Sequence, residues 1–246
     1  MDSVDTNDTC VLIPSCNAFA DVHAPFLACF ERYWLDCPWK MYGLSESGWG
    51  KFPIATITDA SWAANLVKGL AEVPEKFVLM FLDDMLICEP VDQTAVDKAA
   101  QLVQRCDIGA VRVGPGAEVY EAASDFSDFL GLDSRVGYVL QESRYRISTS
   151  PTLWRKEYLA SILQSQGVVT AWDFEIKGTM FARYTSKIVL KILDDPPPMQ
   201  VLYTSITRGA WEEGALQWLR RVGIEVKTDR PIKGRESHQR WPLDEE

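Results

Sequence analysis

One stretch of this chain constrains its fold more than any other. Phe77 to Leu82 is an unbroken apolar run, and Asp83 and Asp84 follow it directly. A run of strand length without polar alternation suits a central strand covered on both faces. Helical patterns lie on either side of it. Ser61 to Val73 carries Trp62, Leu66, Val67 and Leu70 at helical spacing; Ala60 or Ser61 can open it, and Pro74 stops it. Thr94 to Arg105 is a second amphipathic helix, and Ile108 to Val113 the next strand. Upstream, Val11 to Pro14 reads as a strand, Ala24 to Trp34 as a helix and Lys40 to Leu44 as a strand, with Ser45 to Gly50 a polar loop. This alternation predicts an α/β fold, with a mixed, mostly parallel sheet flanked by helices.

The second half is less regular. Gly114 to Tyr138 reads as a long connection, of the kind that lines sites or acts as a lid. Arg146 to Leu153 is expected as a strand, Arg155 to Gln164 and Trp172 to Arg183 as helices, and Ile188 to Leu193 as a strand. Pro196 to Pro198 is a rigid break. Ala210 to Val222 is expected as a helix closed by Gly223, and the tail from Lys227 is charged and poorly patterned. At 246 residues the chain suits one domain, with residues 1–9 and 236–246 expected as flexible tails.

Charge and cysteine usage narrow the function classes. A formal net charge of -10 disfavours a protein that holds nucleic acid through its phosphates. No segment approaches the about 18 apolar residues of a membrane span, and the acidic start lacks a secretory pattern. The six cysteines are irregularly spaced with no C-x-x-C, so a zinc site of ordinary spacing is unsupported. They read as reduced thiols, which predicts a cytoplasmic protein. Peripheral membrane association through a partner or the locally basic tail stays compatible with this sequence.

Four places can carry chemistry. Asp83 and Asp84 end a hydrophobic strand, where ligands of open α/β sheets bind. Adjacent carboxylates repel unless a cation or hydrogen-bond donors stabilise them, and a hard divalent ion bridging to phosphate oxygens would do so. The alternative is a turn with two solvated aspartates. In Trp172-Asp173-Phe174-Glu175 a carboxylate can accept a proton from a hydroxyl beside the apolar wall of Trp172, or Asp173 can simply cap a helix. Pro14, Ser15, Cys16 and Asn17 form a glycine-free loop after the first strand, able to bond a base or ribose but not a phosphate-binding fingerprint. Lastly, Lys233, Arg235, His238 and Arg240 make a basic tail that can fold over a diphosphate or stay solvated. No G-x-S-x-G elbow occurs.

Taken in order, these parts resemble the GT-A nucleotide-sugar glycosyltransferases, in particular a bacterial-type subgroup that builds surface polysaccharides or glycolipids. The resemblance rests on Val11 to Asn17, the helix at Ser61 to Val73, Phe77 to Asp84, Tyr145 to Leu159 and Trp172 to Glu175, and covers roughly residues 10 to 210. It implies a GT-A-like, Rossmann-related sheet and a hexosyltransferase acting on a nucleotide-sugar donor and a glycan, glycolipid or polysaccharide acceptor. The family's D-x-D triplet is here Leu82-Asp83-Asp84, so its first acid is missing. The resemblance implies that Asp84 binds Mn²⁺ or Mg²⁺, with His238 as a further metal ligand, and that Asp83 bonds ribose or orients the donor. It puts Pro14, Ser15, Asn17 and Glu46 at the nucleoside, Lys233 and Arg235 on the diphosphate, and the catalytic base at Glu175 or Asp173. Three rivals remain. A nucleotidyltransferase would need a Gly-rich phosphate loop that this chain lacks. A non-catalytic binder is favoured by the missing acid. A metal-dependent hydrolase would use water in place of the acceptor.

Overall fold

The computed structural model describes residues 8–47, 61–116, 120–123, 136–202 and 204–234. Its centre is an eight-stranded mixed sheet in the order β2-β1-β3-β7-β4-β8-β6-β5. The strands are β1 (Thr9–Pro14), β2 (Lys40–Leu44), β3 (Phe77–Met80), β4 (Ile108–Arg112), β5 (Tyr120–Ala122), β6 (Val136–Val139), β7 (Thr152–Arg155) and β8 (Ile188–Ile192). Only β7 and β6 run against the other six, so the predicted direction of the sheet holds. Pairing is more evenly divided: β7 inserts antiparallel between β3 and β4, and three of the seven strand pairs are parallel.

Helices cover both faces, as the unalternating strands require. Along β1, Val11 and Ile13 pack to one side with α1 (Ala20–Tyr33), α3 (Gln93–Val103) and α6 (Glu213–Arg221). Cys10 and Leu12 pack to the other with α2 (Trp62–Glu72), α4 (Lys156–Leu163) and α5 (Ala171–Ala182). The caps follow the sequence. Ser61 accepts from the Ala64 amide and Asp92 from the Ala95 amide, each satisfying an orphan donor of its helix. All six cysteines are free, with Cys10, Cys29 and Cys88 buried as small hydrophobes. No helix among the described residues is long and apolar enough to cross a membrane.

The structure corrects four expectations. Helix α1 begins four residues before Ala24, with Pro25 inside it. Residues 146–151 form a loop rather than a strand, and β7 starts only at Thr152. There the side chains outcompete a ladder: the Ser150 amide donates to Ser148 Oγ, Thr152 Oγ1 donates to the Ser150 carbonyl, and Arg112 takes the Tyr145 and Arg146 carbonyls. The expected helix from Ala210 starts at Glu213, because Arg208 and Gly209, both at positive φ, turn β9 (Ile206–Thr207) back into β10 (Ala210–Glu212). The tail also pairs: β11 (Ile232–Lys233) joins β10, giving a second, three-stranded sheet. Of the long connection from Gly114, the described ends hold the antiparallel pair β5–β6, and residues 117–119 and 124–135 lie outside the described residues.

Candidate functional site

The carboxyl ends of β1, β2 and β3 gather the first group of candidates. Pro14 pairs with Leu44 in register, and the Ser15 amide donates to the Leu44 carbonyl at 2.9 Å, which sets the two following loops side by side. There the Asn17 amide donates to Glu46 Oε2 at 2.6 Å, while the Ser47 amide and hydroxyl donate to Asn17 Oδ1 at 3.1 and 2.6 Å. Glu46 therefore ties its own loop to the loop after β1. Ser15 Oγ donates to Asp83 Oδ2 and lies 2.8 Å from His23 Nε2. Pro14, Ser15, Asn17, Glu46 and Asp83 thus form one connected rim.

Asp83 and Asp84 are both buried, so they are not the solvated turn. Burial pushes both carboxyls well above the ordinary range, and for Asp83 the neighbouring Asp84 charge adds to it, against the Ser15 bond. The two diverge in direction. Asp83 is engaged by Ser15, whereas Asp84 lines a cavity of about 410 Å³ with Leu82, Met85, Tyr145, Thr149, Trp172, Glu175 and Thr204.

Glu175 reaches that cavity from α5. Its Oε1 accepts from Ser148 Oγ at 3.0 Å, from the Thr149 amide at 2.9 Å and from Thr149 Oγ1 at 2.9 Å. Three donors on one oxygen fix the carboxylate, and among the described residues none reaches Oε2. Ser148 and Thr149 are not among the candidate site residues that the sequence offers; the signal for them is the hydroxyl run before Pro151.

Asp173 has another occupation. It accepts from the Thr170 amide and hydroxyl in a capping box and lies 2.6 Å from Lys177 Nζ, and these bonds hold its carboxyl down to about 2. Lys233 stands on β11, in register with Glu212, and is not among the residues lining the cavity. Arg235 and His238 lie outside the described residues.

The C-terminal segment is nonetheless fastened near the rim. Arg230 donates to both oxygens of Asp21 at 2.7 and 3.1 Å and to the Ala18 carbonyl, and lies 4.7 Å from the Phe19 ring centre. Trp211 Nε1 and Thr228 Oγ1 donate to the same carboxylate at 2.8 and 2.6 Å. Together they hold Asp21 at about 2 although burial opposes it.

No set of three or more His, Cys, Asp or Glu side chains among the described residues is arranged to hold a metal ion. Asp84 by itself fits a weaker role. Mg²⁺ sites often use one or two carboxylates and complete their shell with substrate phosphates and water. A buried carboxyl that opens onto a cavity would serve as one such ligand, and a cation would reverse its burial penalty.

Scans against family models and against curated proteins give no match. Among solved structures, the chain is similar to TarS 1–349 of S. aureus at 15% identity and a TM-score of 0.48, over 76% of this chain and 58% of that one. For TarS 1–349 in complex with UDP the values are 11%, 0.45, 76% and 58%. For a nucleotidyl transferase from Methanothermobacter thermautotroptrophicus they are 9%, 0.44, 76% and 87%. These likenesses are of outline only, and the site stands on its own geometry.

Proposed function

We propose that this chain is a glycosyltransferase that moves a sugar from a nucleotide-sugar donor to a hydroxyl acceptor. The observation that carries the proposal is the cavity shared by Asp84 and Glu175 beside the carboxyl ends of the parallel strands. In this reading the rim of Ser15, Asn17, Glu46 and Asp83 receives the nucleoside, and Asp84 faces the diphosphate. Glu175, oriented through Oε1, takes on Oε2 the proton of the acceptor hydroxyl as the hydroxyl oxygen attacks the anomeric carbon. The bond from that carbon to the diphosphate breaks as the new glycosidic bond forms. Trp172 and Tyr145 wall the acceptor side. Asp84 would hold a Mn²⁺ or Mg²⁺ ion, and such an ion, when bound, supplies charge stabilisation to the leaving diphosphate. Asp173 is left to capping, and Lys233, Arg235 and His238 are proposed for the diphosphate and metal on sequence grounds alone.

One observation favours a second reading. Leu82 lines the cavity at the place of the missing acid, which suits a protein that binds a nucleotide sugar without turnover. The test is calorimetry with UDP-, GDP-, CMP- and dTDP-sugars, with and without Mn²⁺ or Mg²⁺, on the native chain and on Asp84→Ala. Metal-linked binding lost in the variant, followed by transfer to an acceptor, supports the transferase. Binding without turnover supports the second reading, and no binding to any donor counts against both.

A further inference from the structure

Residues 146–151 are all buried, yet they belong to no strand or helix. Two of them, Ser148 and Thr149, supply the donors that grip Glu175 Oε1. A buried loop has to find partners for its backbone one by one. This loop finds them mainly on the segment that leaves β4. At its far end the Val113 and Gly114 amides both donate to the Pro151 carbonyl at 3.0 Å, and Ser150 Oγ donates to the Pro115 carbonyl at 2.6 Å. The two segments approach so closely that a Cβ on Gly114 would lie 2.5 Å from Pro151 Cδ and 2.7 Å from Ser150 Oγ. In between, the Ile147 amide donates to Thr179 Oγ1 of α5 at 3.0 Å. At the near end the fastening is Arg112, the last residue of β4. Its guanidinium donates to the Tyr145 carbonyl at 3.2 Å and to the Arg146 carbonyl at 3.3 Å.

Arg112 is a costly residue to have in this place. It is 1% exposed, and both of these acceptors are neutral. It also faces Lys191 in register across β4 and β8. Burial and the Arg112 charge together press the Lys191 ammonium down to about 8. Like charges opposite one another in a sheet repel, and burial removes the water that would screen them. A neutral side chain of similar length would avoid both penalties, but it could not reach out to two successive carbonyls. The guanidinium can, because it is a rigid plane with donors on more than one edge. Its bonds fall at the start of the run whose fourth and fifth residues, counted from Tyr145, are the donors to Glu175. Tyr145 and Thr149 both line the cavity that Glu175 enters.

We propose that Arg112 is a positioning residue: by fixing the Tyr145 and Arg146 carbonyls it sets Ser148 and Thr149 against Glu175 Oε1 and leaves Oε2 for the acceptor hydroxyl. The effect on turnover rests on the transferase reading; the clamp on the loop does not.

The test compares Arg112→Met, which keeps the stem without the donors, with Arg112→Lys, which keeps the charge and can reach one carbonyl. Gly114→Ala displaces the other end of the loop and leaves the charge untouched, so it stands in if Arg112→Met does not fold; circular dichroism checks all three. The first readout is hydrogen exchange at the Thr149 amide, which bonds Glu175 Oε1 at 2.9 Å. It is expected to quicken about tenfold or more in Arg112→Met and Gly114→Ala, while the amides of β4 and β7 keep their wild-type rates. The second is kinetic. In Arg112→Met kcat is expected to fall about 10²-fold with donor affinity and acceptor KM held within about twofold, and Arg112→Lys to return to within about tenfold of wild type. In a Glu175→Gln background, where no base is left to position, Arg112→Met is expected to lower kcat no further. Unchanged exchange at Thr149 overturns the proposal. So does a rise in KM at constant kcat, or an equal loss of kcat in the Glu175→Gln background, either of which leaves Arg112 as a support of the fold or of substrate binding. A wild type that turns over no donor overturns the transferase reading instead, and the exchange rates then decide the clamp alone.

Discussion

Asp84 and Glu175 belong to different halves of the chain and line one cavity, the first in the turn that follows β3 and the second on the first turns of α5. Their division of labour gives a direct contrast with Asp173. Glu175→Gln is expected to lower kcat about 10²- to 10⁴-fold with donor affinity unchanged. Asp173→Asn is expected to keep kcat and lower the melting temperature, since it loses the Lys177 pair and replaces the charged acceptor of the capping box by a neutral one. Steady-state kinetics and thermal melts on the pair of variants check this, and the reverse pattern would make Asp173 the base.

Thr149 supplies two of the three bonds that orient Glu175. Thr149→Val keeps the shape and the backbone bond but removes the hydroxyl. The expected result is a fall in kcat of about tenfold, equivalent to about 1.4 kcal/mol, with the acceptor KM unchanged. A rise in KM with unchanged kcat would place Thr149 in substrate binding instead.

The Asp84 carboxyl is pushed up to about 7 by burial, from 3.8. Below its ordinary value the carboxyl is protonated in both states and costs nothing. As pH rises from about 4 to 7 the unfolded chain ionises freely and the folded one does not, so stability falls by on the order of a few kcal/mol. Asp84→Asn should flatten that fall and melt higher than wild type at pH 8. Chemical denaturation across pH 4 to 8 measures it; parallel curves for the two proteins would sink the argument.

Asp21 behaves in the opposite sense. Its carboxyl is held at about 2, so its bonds stabilise the fold above the usual carboxylate value and are lost as pH falls from about 4 towards 2. Asp21→Asn is expected to cost about 1–3 kcal/mol at pH 7 and to erase that acid limb. Hydrogen exchange should show faster opening of residues 224–234, which Arg230 fastens through this carboxylate.

Period and burial made much of the scaffold legible from sequence. The apolar run from Phe77 became β3 over its first four residues, Ser61 became a cap, and Asp173 joined a capping box, because each signal is local. What was not legible depends on distant partners. No pattern in residues 145–149 announces that Arg112 will take the carbonyls of Tyr145 and Arg146 and Glu175 the hydroxyls of Ser148 and Thr149. The hairpin at Arg208 and Gly209 is hidden for another reason: Arg rarely takes the left-handed conformation, so the sequence there does not announce a turn. The coupling of Glu46 to Asn17 joins two loops brought together only by the parallel pairing of β1 and β2.

The contact of Ser15 with both His23 and Asp83 has an arithmetic of its own. Two hydrogen bonds need two protons, and a hydroxyl owns one. With Asp83 ionised, Ser15 donates to it and the second proton sits on His23 Nε2; with Asp83 protonated, as burial favours, the acid donates to Ser15 and Ser15 to a bare Nε2. Position 15 therefore has to give and receive at once. Threonine can do both, alanine neither, and a chain carrying alanine there would leave an imidazole and an acid facing one another with nothing to pass between them.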